Sequence, residues 1–233
     1  MDLILTSPPY NNSRNNGNFN NYEKRYDTYV EKTNKEYLDF MHELFLSYDT
    51  ILKENGCILF NMSYGNENAE IMFKVLSDII NNSPFTIADV IVWKKKSALP
   101  NNVSHNKLTR ICEFVYVICR KSEFGTFLMN KQVKSTSRTG QKYYENIYNF
   151  VEAKNNDGKN DLNKATYSSE LCEKLLSIYA KDNSIVYDSF NGTGTTGVAC
   201  ANIGNIKWYI GSELSEAQCN YSNERINNAI KGK

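Results

Sequence analysis

Short apolar runs alternate along this chain with segments that repeat their apolar residues every three or four positions. The apolar runs have the length of strands and cover residues 3–5, 57–62, 86–93, 110–119, 184–187 and 207–210. Helical periodicity is found at about 33–52, 67–80 and 168–179, and further helices are predicted after Gly194 and after Ser215. Strands that alternate with helices predict an α/β fold whose sheet is covered by helices on both faces.

The polar segments add several local predictions. Residues 33–36 and 215–218 have the Ser/Thr-x-x-Glu/Gln pattern of a capping box, and Ser168 or Ser169 is expected to begin another helix. A short strand near Phe127 is predicted to pair with its neighbour as a hairpin. The asparagine-rich residues 11–32 are interpreted as a long loop that is either a lid or disordered, and their aromatic and basic residues favour the lid. Residues 130–163 are interpreted as a small inserted element.

Length and composition exclude several classes of protein. A chain of 233 residues with 41% hydrophobic residues can build the core of one domain without disulfide bonds. Its six cysteines form no C-x-x-C pair and it has two histidines, so no metal site is predicted and reduced thiols in the cytoplasm are expected. A signal peptide or membrane-spanning run is not evident, which predicts a soluble protein without a membrane partner.

The charge is distributed unevenly. The formal net charge is +1, but residues 94–142 contain eleven Lys or Arg against two acidic residues, a balance of +9. Clustering of this kind indicates that the middle of the chain faces a polyanion such as a nucleic acid.

The first apolar run ends in the tetrapeptide Ser7-Pro8-Pro9-Tyr10. Pro8 restricts Ser7 to an extended conformation and Pro9 has no N–H, so the chain leaves the sheet rigidly at this point. A hydroxyl group, carbonyl groups without a strand partner and an aromatic ring are thereby gathered at one strand end. A planar group that carries an NH₂ could donate to those oxygens and stack on that ring.

A second motif begins with the strand that ends at Asp188. The glycines Gly192 and Gly194 follow, and they allow a sharp turn and the close approach of a ligand to the backbone. Glu213 ends the next strand about twenty residues later, the spacing at which a carboxylate can accept hydrogen bonds from ribose hydroxyls. No Gly-Lys-Ser/Thr follows the glycines, so this is not a phosphate-binding loop of the nucleotide triphosphatase type.

Together the two motifs resemble the S-adenosylmethionine-dependent DNA amino-methyltransferases, in the permuted (beta-type) order that places the catalytic motif first. The stretch 6–10 is similar to their catalytic motif, 188–196 to their cofactor loop and 210–213 to their ribose-binding strand end. The resemblance implies a Rossmann-like methyltransferase fold with a mostly parallel sheet and a C-terminal, hairpin-type antiparallel strand. It implies a single domain, 1–233, with a catalytic half (1–129), a target-recognition insert (about 130–163) and a cofactor-binding half (164–233).

The resemblance also assigns roles to residues. The catalytic residues are Ser7, Pro8, Pro9 and Tyr10, and the residues expected to bind S-adenosylmethionine are Ala165, Tyr167, Asp188, Phe190, Gly192, Gly194, Thr195, Thr196 and Glu213. Ser7 and the Pro8 carbonyl would accept the hydrogens of the target amine, while Tyr10 stacks on a base that has flipped out of the duplex. The basic residues expected to contact DNA are Arg14, Lys94, Lys95, Lys96, Arg110, Lys134, Arg138 and Lys142.

The identity of the methylated base is predicted from Ser7. Serine at the first catalytic position is more common in the N4-cytosine members of the family, so cytosine N4 is the first choice and adenine N6 the alternative. None of the four prolines precedes a cysteine, which excludes the cysteine nucleophile of cytosine C5 methylation. His42, His105 and Glu113 receive no catalytic role, and Trp93 is assigned to the core.

The resemblance also implies partners for the protein. Double-stranded DNA is the expected substrate, a homodimer would widen the contact with DNA, and a cognate restriction endonuclease is a further partner to consider. The family normally has a strand and a helix before the catalytic strand, and this sequence begins on the strand itself. A catalytically weak or partner-dependent nucleic-acid-binding subunit is therefore one rival, and methylation of RNA or of a protein amide is another.

Overall fold

The computed structural model describes residues 1–11, 30–65, 68–98, 100–102, 105–158, 162–163 and 166–232. Its strands are β1 (Leu3–Thr6), β2 (Cys57–Met62), β3 (Phe85–Lys95), β4 (Cys112–Arg120), β5 (Val133–Thr136), β6 (Lys142–Tyr144), β7 (Phe150–Ala153), β8 (Ile185–Asp188) and β9 (Trp208–Gly211). Its α-helices are α1 (Asn34–Ile51), α2 (Glu70–Asn82), α3 (Ser169–Tyr179), α4 (Thr195–Ile203) and α5 (Glu216–Lys231). The predicted lid falls mostly on residues 12–29, outside the described residues.

Seven strands form one sheet in the order β7-β3-β4-β2-β1-β8-β9, and β5 and β6 form a separate hairpin. In the seven-stranded sheet β4 runs antiparallel to both of its neighbours, and the other described pairings are parallel. The mostly parallel α/β sheet predicted from the sequence is thus confirmed. Because β1 pairs in parallel with β8, both strands end at the same edge of the sheet, and the two sequence motifs that follow them lie at that edge.

The expected C-terminal antiparallel strand is wrong. The C-terminal strand β9 pairs parallel with β8, because α4 lies between them in sequence and carries the chain back to the starting edge. The antiparallel strand is β4, whose connection to β3 contains no helix in its described part.

The strand predicted near Phe127 is also wrong. Residues Lys121–Glu123 form a turn of 3-10 helix, and the N–H groups of Thr126 and Phe127 both bond back to the Glu123 carbonyl. These local bonds use the backbone groups that a strand pairing would need. The Phe127 ring packs instead against the core as a partly buried side chain.

Alternating residues of the central strands face two separate cores. Leu3, Leu5 and Leu59 pack with the apolar side chains of α3 and α4, whereas Ile4 and Phe60 pack with those of α1 and α2. The two helices predicted to begin at Thr33 and Ser215 do so, and Ser168 rather than Ser169 caps α3, its Oγ accepting the N–H of Leu171. Among the described residues, no helix combines the length and apolar character needed to cross a bilayer.

Candidate active site

A cleft of about 780 Å³ lies at the edge of the sheet where β1 and β8 end. It is lined by all four residues of the first motif, Ser7 to Tyr10, and by several of the second motif, namely Phe190, Gly192, Thr195 and Glu213, with Tyr167 beside them. The volume lies within the range of about 300–1,000 Å³ that is usual for sites of small molecules. The fold therefore brings the two motifs into a single site.

Burial and hydrogen bonds hold the first motif in place. Pro8 is buried, and the Pro9 carbonyl accepts a 2.6 Å hydrogen bond from the Tyr37 hydroxyl of α1. Ser7 Oγ donates to Asn61 Oδ1 at 3.2 Å, and the Tyr10 hydroxyl lies 3.1 Å from the same oxygen. The serine hydroxyl is thus directed towards the cleft wall formed by the end of β2.

Asp188 lies behind the cleft and organises both motifs. Its Oδ1 accepts hydrogen bonds from the Thr6 hydroxyl at 2.7 Å and the Phe190 N–H at 3.0 Å. Its Oδ2 accepts from the hydroxyls of Thr196 at 2.7 Å and Tyr167 at 3.2 Å. The carboxyl is 1% exposed, and burial raises its pKa although the bonds from Thr196 and Thr6 favour the charged form.

The second motif turns sharply through its glycines. Gly192 and Gly194 have φ values of +51° and +81°, a left-handed region that favours glycine. A Cβ atom on Gly194 would collide with the side chain of Ser222, so α5 also excludes a larger residue there. Thr195 begins α4 directly after this turn and lines the cleft, whereas Gly194 and Thr196 are not among its lining residues.

Glu213 closes the opposite side of the turn. Its Oε2 accepts the Gly192 N–H at 2.7 Å, and its Oε1 accepts the N–H groups of Leu214 and Ser215, both at 2.9 Å. Three backbone bonds fix this carboxylate at the cleft, and Oε2, which accepts one of them, can accept a further bond from a ligand hydroxyl. Phe190 and Leu214 provide apolar cleft surface beside it.

The predicted DNA-binding residues are divided among three places. Lys94, Lys95 and Lys96 form ion pairs with Glu152, Glu113 and Glu170, and of these lysines Lys95 lines the cleft. Arg110 donates to the Tyr64 carbonyl and stacks on the Tyr64 ring. Lys134, Arg138 and Lys142 lie on the hairpin of β5 and β6, and Arg14 and the predicted cofactor residue Ala165 lie outside the described residues.

The cleft also contains residues to which the sequence motifs assign no role. Asn61 is 2% exposed within the apolar strand β2, and a polar residue inside an apolar run was the signal that could have identified it. Glu113 received no role, yet it lies 3.1 Å from the Tyr10 hydroxyl. Trp93 is 2% exposed in the core, as expected, and one part of it also reaches the cleft.

Several known proteins are similar to this chain in sequence or in fold. Orphan methyltransferase M.BamHII of Bacillus amyloliquefaciens is 23% identical over 264 residues, covering 99% of this chain and 90% of its own length. The cytosine-N4-specific PvuII DNA methyltransferase has the same fold, with a TM-score of 0.64, 18% identity and coverage of 100% of this chain and 86% of its own. The complex of M1.HpyAVI with SAM gives a TM-score of 0.59 at 23% identity, covering 97% and 88%.

The family assignment rests on a broader match. The sequence model of the N6/N4 DNA methylase family, described as "DNA methylase", matches residues 1–224. This range includes both motifs and every described strand of the sheet. The chain therefore belongs to the N6/N4 DNA methylase family, as the two sequence motifs predicted.

Proposed function

We propose that this protein transfers the methyl group of S-adenosylmethionine to the N4 amino group of a cytosine in double-stranded DNA. The observation that carries the proposal is the position of Ser7, which shares one cleft with the glycine turn and Glu213. A methyl donor at the turn and an acceptor amine at Ser7 would then meet within that cleft. Family membership supports DNA methylation, whereas the choice of cytosine depends on the serine at position 7.

The cleft residues fit S-adenosylmethionine. Glu213 Oε2 can accept a hydrogen bond from a ribose hydroxyl, Phe190 and Leu214 offer apolar surface to the adenine ring, and the backbone at Gly192 is open to close approach. When bound, this cofactor supplies an electrophilic methyl group on a sulfonium centre. M1.HpyAVI, a protein of the same fold, has been solved as a complex with SAM.

The first motif positions the acceptor amine. Ser7 Oγ and the Pro8 carbonyl accept the two hydrogens of the amine, which favours a tetrahedral nitrogen whose lone pair points into the cleft. An exocyclic amine in a duplex cannot reach such a site, so the base must flip out and stack on the Tyr10 ring. Holding both partners in line supplies most of the rate enhancement, because the reaction is a direct transfer.

Serine at the first motif position supports cytosine over adenine. This residue is associated with the N4-cytosine members of the family, and the PvuII methyltransferase of the same fold is cytosine-N4-specific. Adenine N6 is the second candidate, because the same two acceptor oxygens fit either amine.

The hairpin of β5 and β6 is proposed as the segment that contacts the DNA target. Lys134, Arg138 and Lys142 give it positive charge, and the rings of Tyr143 and Tyr144 are 55% and 49% exposed. Basic side chains together with exposed aromatic rings suit a phosphate backbone and its bases. This hairpin lies within residues 130–163, which we propose as the target-recognition insert.

Mass spectrometry of nucleosides tests the proposal. DNA of varied sequence would be incubated with the protein and S-adenosylmethionine, with S-adenosylhomocysteine in place of the donor as the control. N4-methylcytosine is the expected product. N6-methyladenine would overturn the choice of base but keep the cleft's role, and the absence of both would contradict the proposed function. RNA of matched sequence, offered in competition, would test the RNA alternative.

A further inference from the structure

A chain of polar side chains runs along the catalytic end of the cleft. It begins at Ser7 and passes through Asn61 to the Tyr10 hydroxyl. That hydroxyl lies 3.1 Å from Glu113 Oε2, and Lys95 Nζ donates to Glu113 Oε1 at 2.5 Å. All five side chains line the cleft, so the chain leads from the proposed amine site to an ammonium group.

Asn61 fixes the direction of this chain. Its Nδ2 donates to the Phe114 carbonyl at 3.0 Å, which leaves its Oδ1 facing Ser7 and Tyr10. The residue is buried, so its amide is held in this orientation. The wall of the cleft next to Ser7 is therefore set by the backbone of β4.

Strand register explains why Lys95 reaches the cleft and its neighbour does not. Trp93 faces Glu113 across β3 and β4, and Lys95 follows Trp93 by two residues on the same face of the strand. The side chains of Lys95 and Glu113 are 23% and 19% exposed. Lys94 points to the other face, where it pairs with Glu152.

The ammonium group of Lys95 has donor capacity for a ligand. A lysine ammonium has three N–H bonds, and the described hydrogen bonds of Lys95 Nζ use one of them, to Glu113. The group also lies 5.1 Å from the centre of the Trp93 ring, which holds it against the cleft wall. Glu113 thus positions a hydrogen-bond donor near the place proposed for the base.

We propose that Lys95, held by Glu113, recognises the ring edge of the flipped cytosine by donating hydrogen bonds to its O2 and N3 atoms. The inference rests on the proposed function, because it requires the target amine to lie at Ser7. Cytosine carries the amine, N3 and O2 in order along one edge, so two acceptors follow the amine. Adenine carries N1 and then a C–H group, so an ammonium gains one acceptor from it.

The test compares two bases at one recognition site, once that site has been mapped by sequencing methylated DNA. One duplex carries the target cytosine and the other carries 2-thiocytosine, which keeps the amine and replaces O2 with sulfur, a weaker acceptor. Single-turnover methyl transfer would be measured for the wild-type protein and for Lys95→Met. With cytosine, the variant is expected to be slower by about 10- to 100-fold, because it loses a charged hydrogen bond. With 2-thiocytosine, the loss should shrink to about three- to tenfold, because the bond to position 2 is already weakened while the bond to N3 remains.

Matched variants separate base recognition from charge and folding. Lys94→Met removes a positive charge on the other face of β3. If that charge contacts phosphate, its loss should slow methyl transfer to cytosine and to 2-thiocytosine by the same factor. Lys95→Arg keeps the charge and should restore part of the rate difference between the two bases that Lys95→Met removes. Lys74→Met, which breaks an exposed pair with Glu70 on α2, should leave both rates unchanged. Thermal melting and binding of S-adenosylmethionine would verify that each variant is folded.

The outcomes distinguish this inference from the proposed function. If Lys95→Met is folded and slows both bases by the same factor, or slows neither, recognition by Lys95 is excluded while the proposed function stands. If the wild-type protein methylates adenine alone, the proposed base and this inference are both overturned. If the wild-type protein methylates no DNA, the proposed function itself fails.

Discussion

The Thr6 hydroxyl donates a 2.7 Å hydrogen bond to Oδ1 of Asp188, and this buried bond joins two motifs that are 182 residues apart in the sequence. Thr6 ends β1 and Asp188 ends β8, which are neighbouring parallel strands. The relative position of the two motifs is therefore fixed by the sheet and by a carboxylate behind the cleft.

Thr6→Val should destabilise the protein because valine has the shape of threonine without its hydroxyl. Asp188 would keep fewer donors, and the expected loss is about 1–2 kcal/mol in the free energy of unfolding. Urea denaturation would measure this loss in the wild-type background and in Asp188→Asn. The loss should be smaller in the second background, because a bond to a charged acceptor becomes a bond to a neutral one. An equal loss in both backgrounds would show that the bond to Asp188 does not carry the effect.

The buried Asp188 carboxyl should also make stability depend on pH. Burial raises its pKa above the ordinary value of 3.8, so the folded state binds this proton more tightly than the unfolded state does. The contribution of this protonated carboxyl to the free energy of unfolding is fully present below about pH 4, and it is lost as the pH rises through the raised pKa of the folded state. Relative to Asp188→Asn, the wild-type protein should therefore lose stability as the pH rises from 4 towards 7.

Asp188→Asn is a suitable reference because the hydroxyls of Thr196 and Tyr167 can rotate to accept hydrogen bonds from its amide. Asp188→Ala, by contrast, leaves the Phe190 N–H and the hydroxyls without their acceptor and should cost about 2–4 kcal/mol. Urea denaturation at a series of pH values would give these quantities. A constant difference between wild type and Asp188→Asn from pH 4 to 7 would contradict the predicted linkage.

Two glycines offer a matched test of the turn in the second motif. Gly194 and Gly140 have nearly equal φ values of +81° and +84°, but a Cβ atom would meet Ser222 at Gly194 and nothing within 4 Å at Gly140. Gly140→Ala should cost about 1 kcal/mol from backbone strain alone. Gly194→Ala should cost at least about 2 kcal/mol more, since α5 would have to move. Similar thermal melting of the two variants would refute the contribution of the contact with Ser222.

Local patterns in the sequence predicted most of the fold because local chemistry decides it. Thr33 caps α1 through the reciprocal bonds of a capping box, as its spacing from Glu36 indicates. The apolar run that became β2 is buried along its entire length. Where a single segment determines its own structure, the prediction held.

The errors arise where distant segments decide the outcome. The parallel pairing of β9 depends on the path of α4 over the sheet, and the segment after Phe127 is held by the distant Asn55 carbonyl, which accepts the Leu128 N–H. Glu113 and Lys95 are eighteen residues apart, and their meeting requires the register of β3 with β4. Sequence patterns carry little information on such registers, so this part of the site required the structure.

Glu213→Gln should weaken the binding of S-adenosylmethionine while the chain remains folded. The glutamine amide can accept at only one of the two oxygen positions. Either the Gly192 N–H and a ribose hydroxyl lose their acceptor, or the N–H groups of Leu214 and Ser215 lose theirs and the side chain is displaced. Calorimetry should show affinity reduced by about 10- to 100-fold. Glu216→Gln, an exposed neighbour at the start of α5, should bind as the wild-type protein does. Unchanged affinity in Glu213→Gln would remove Glu213 from the proposed cofactor site.

Ser7→Ala should separate catalysis from cofactor binding. The described contacts of the Ser7 hydroxyl are with Asn61 and Tyr10, at 3.2 and 3.4 Å, and neither belongs to the glycine turn. Removing the hydroxyl deprives the target amine of one acceptor, so methyl transfer should slow by about 10- to 100-fold. The affinity for S-adenosylmethionine should stay within about twofold of wild type, because no cofactor contact is assigned to this side chain.

Single-turnover rates on methylatable DNA, measured beside calorimetry of the cofactor, would show both effects. Ser47→Ala, which removes an exposed hydroxyl on α1 far from the motif in sequence, serves as the matched serine control and should match wild type in both measurements. A Ser7→Ala protein that binds the cofactor and transfers methyl groups at the wild-type rate would exclude Ser7 as an acceptor for the amine. The argument that links this serine to cytosine N4 would then fail with it, because that argument requires the hydroxyl to touch the reacting nitrogen.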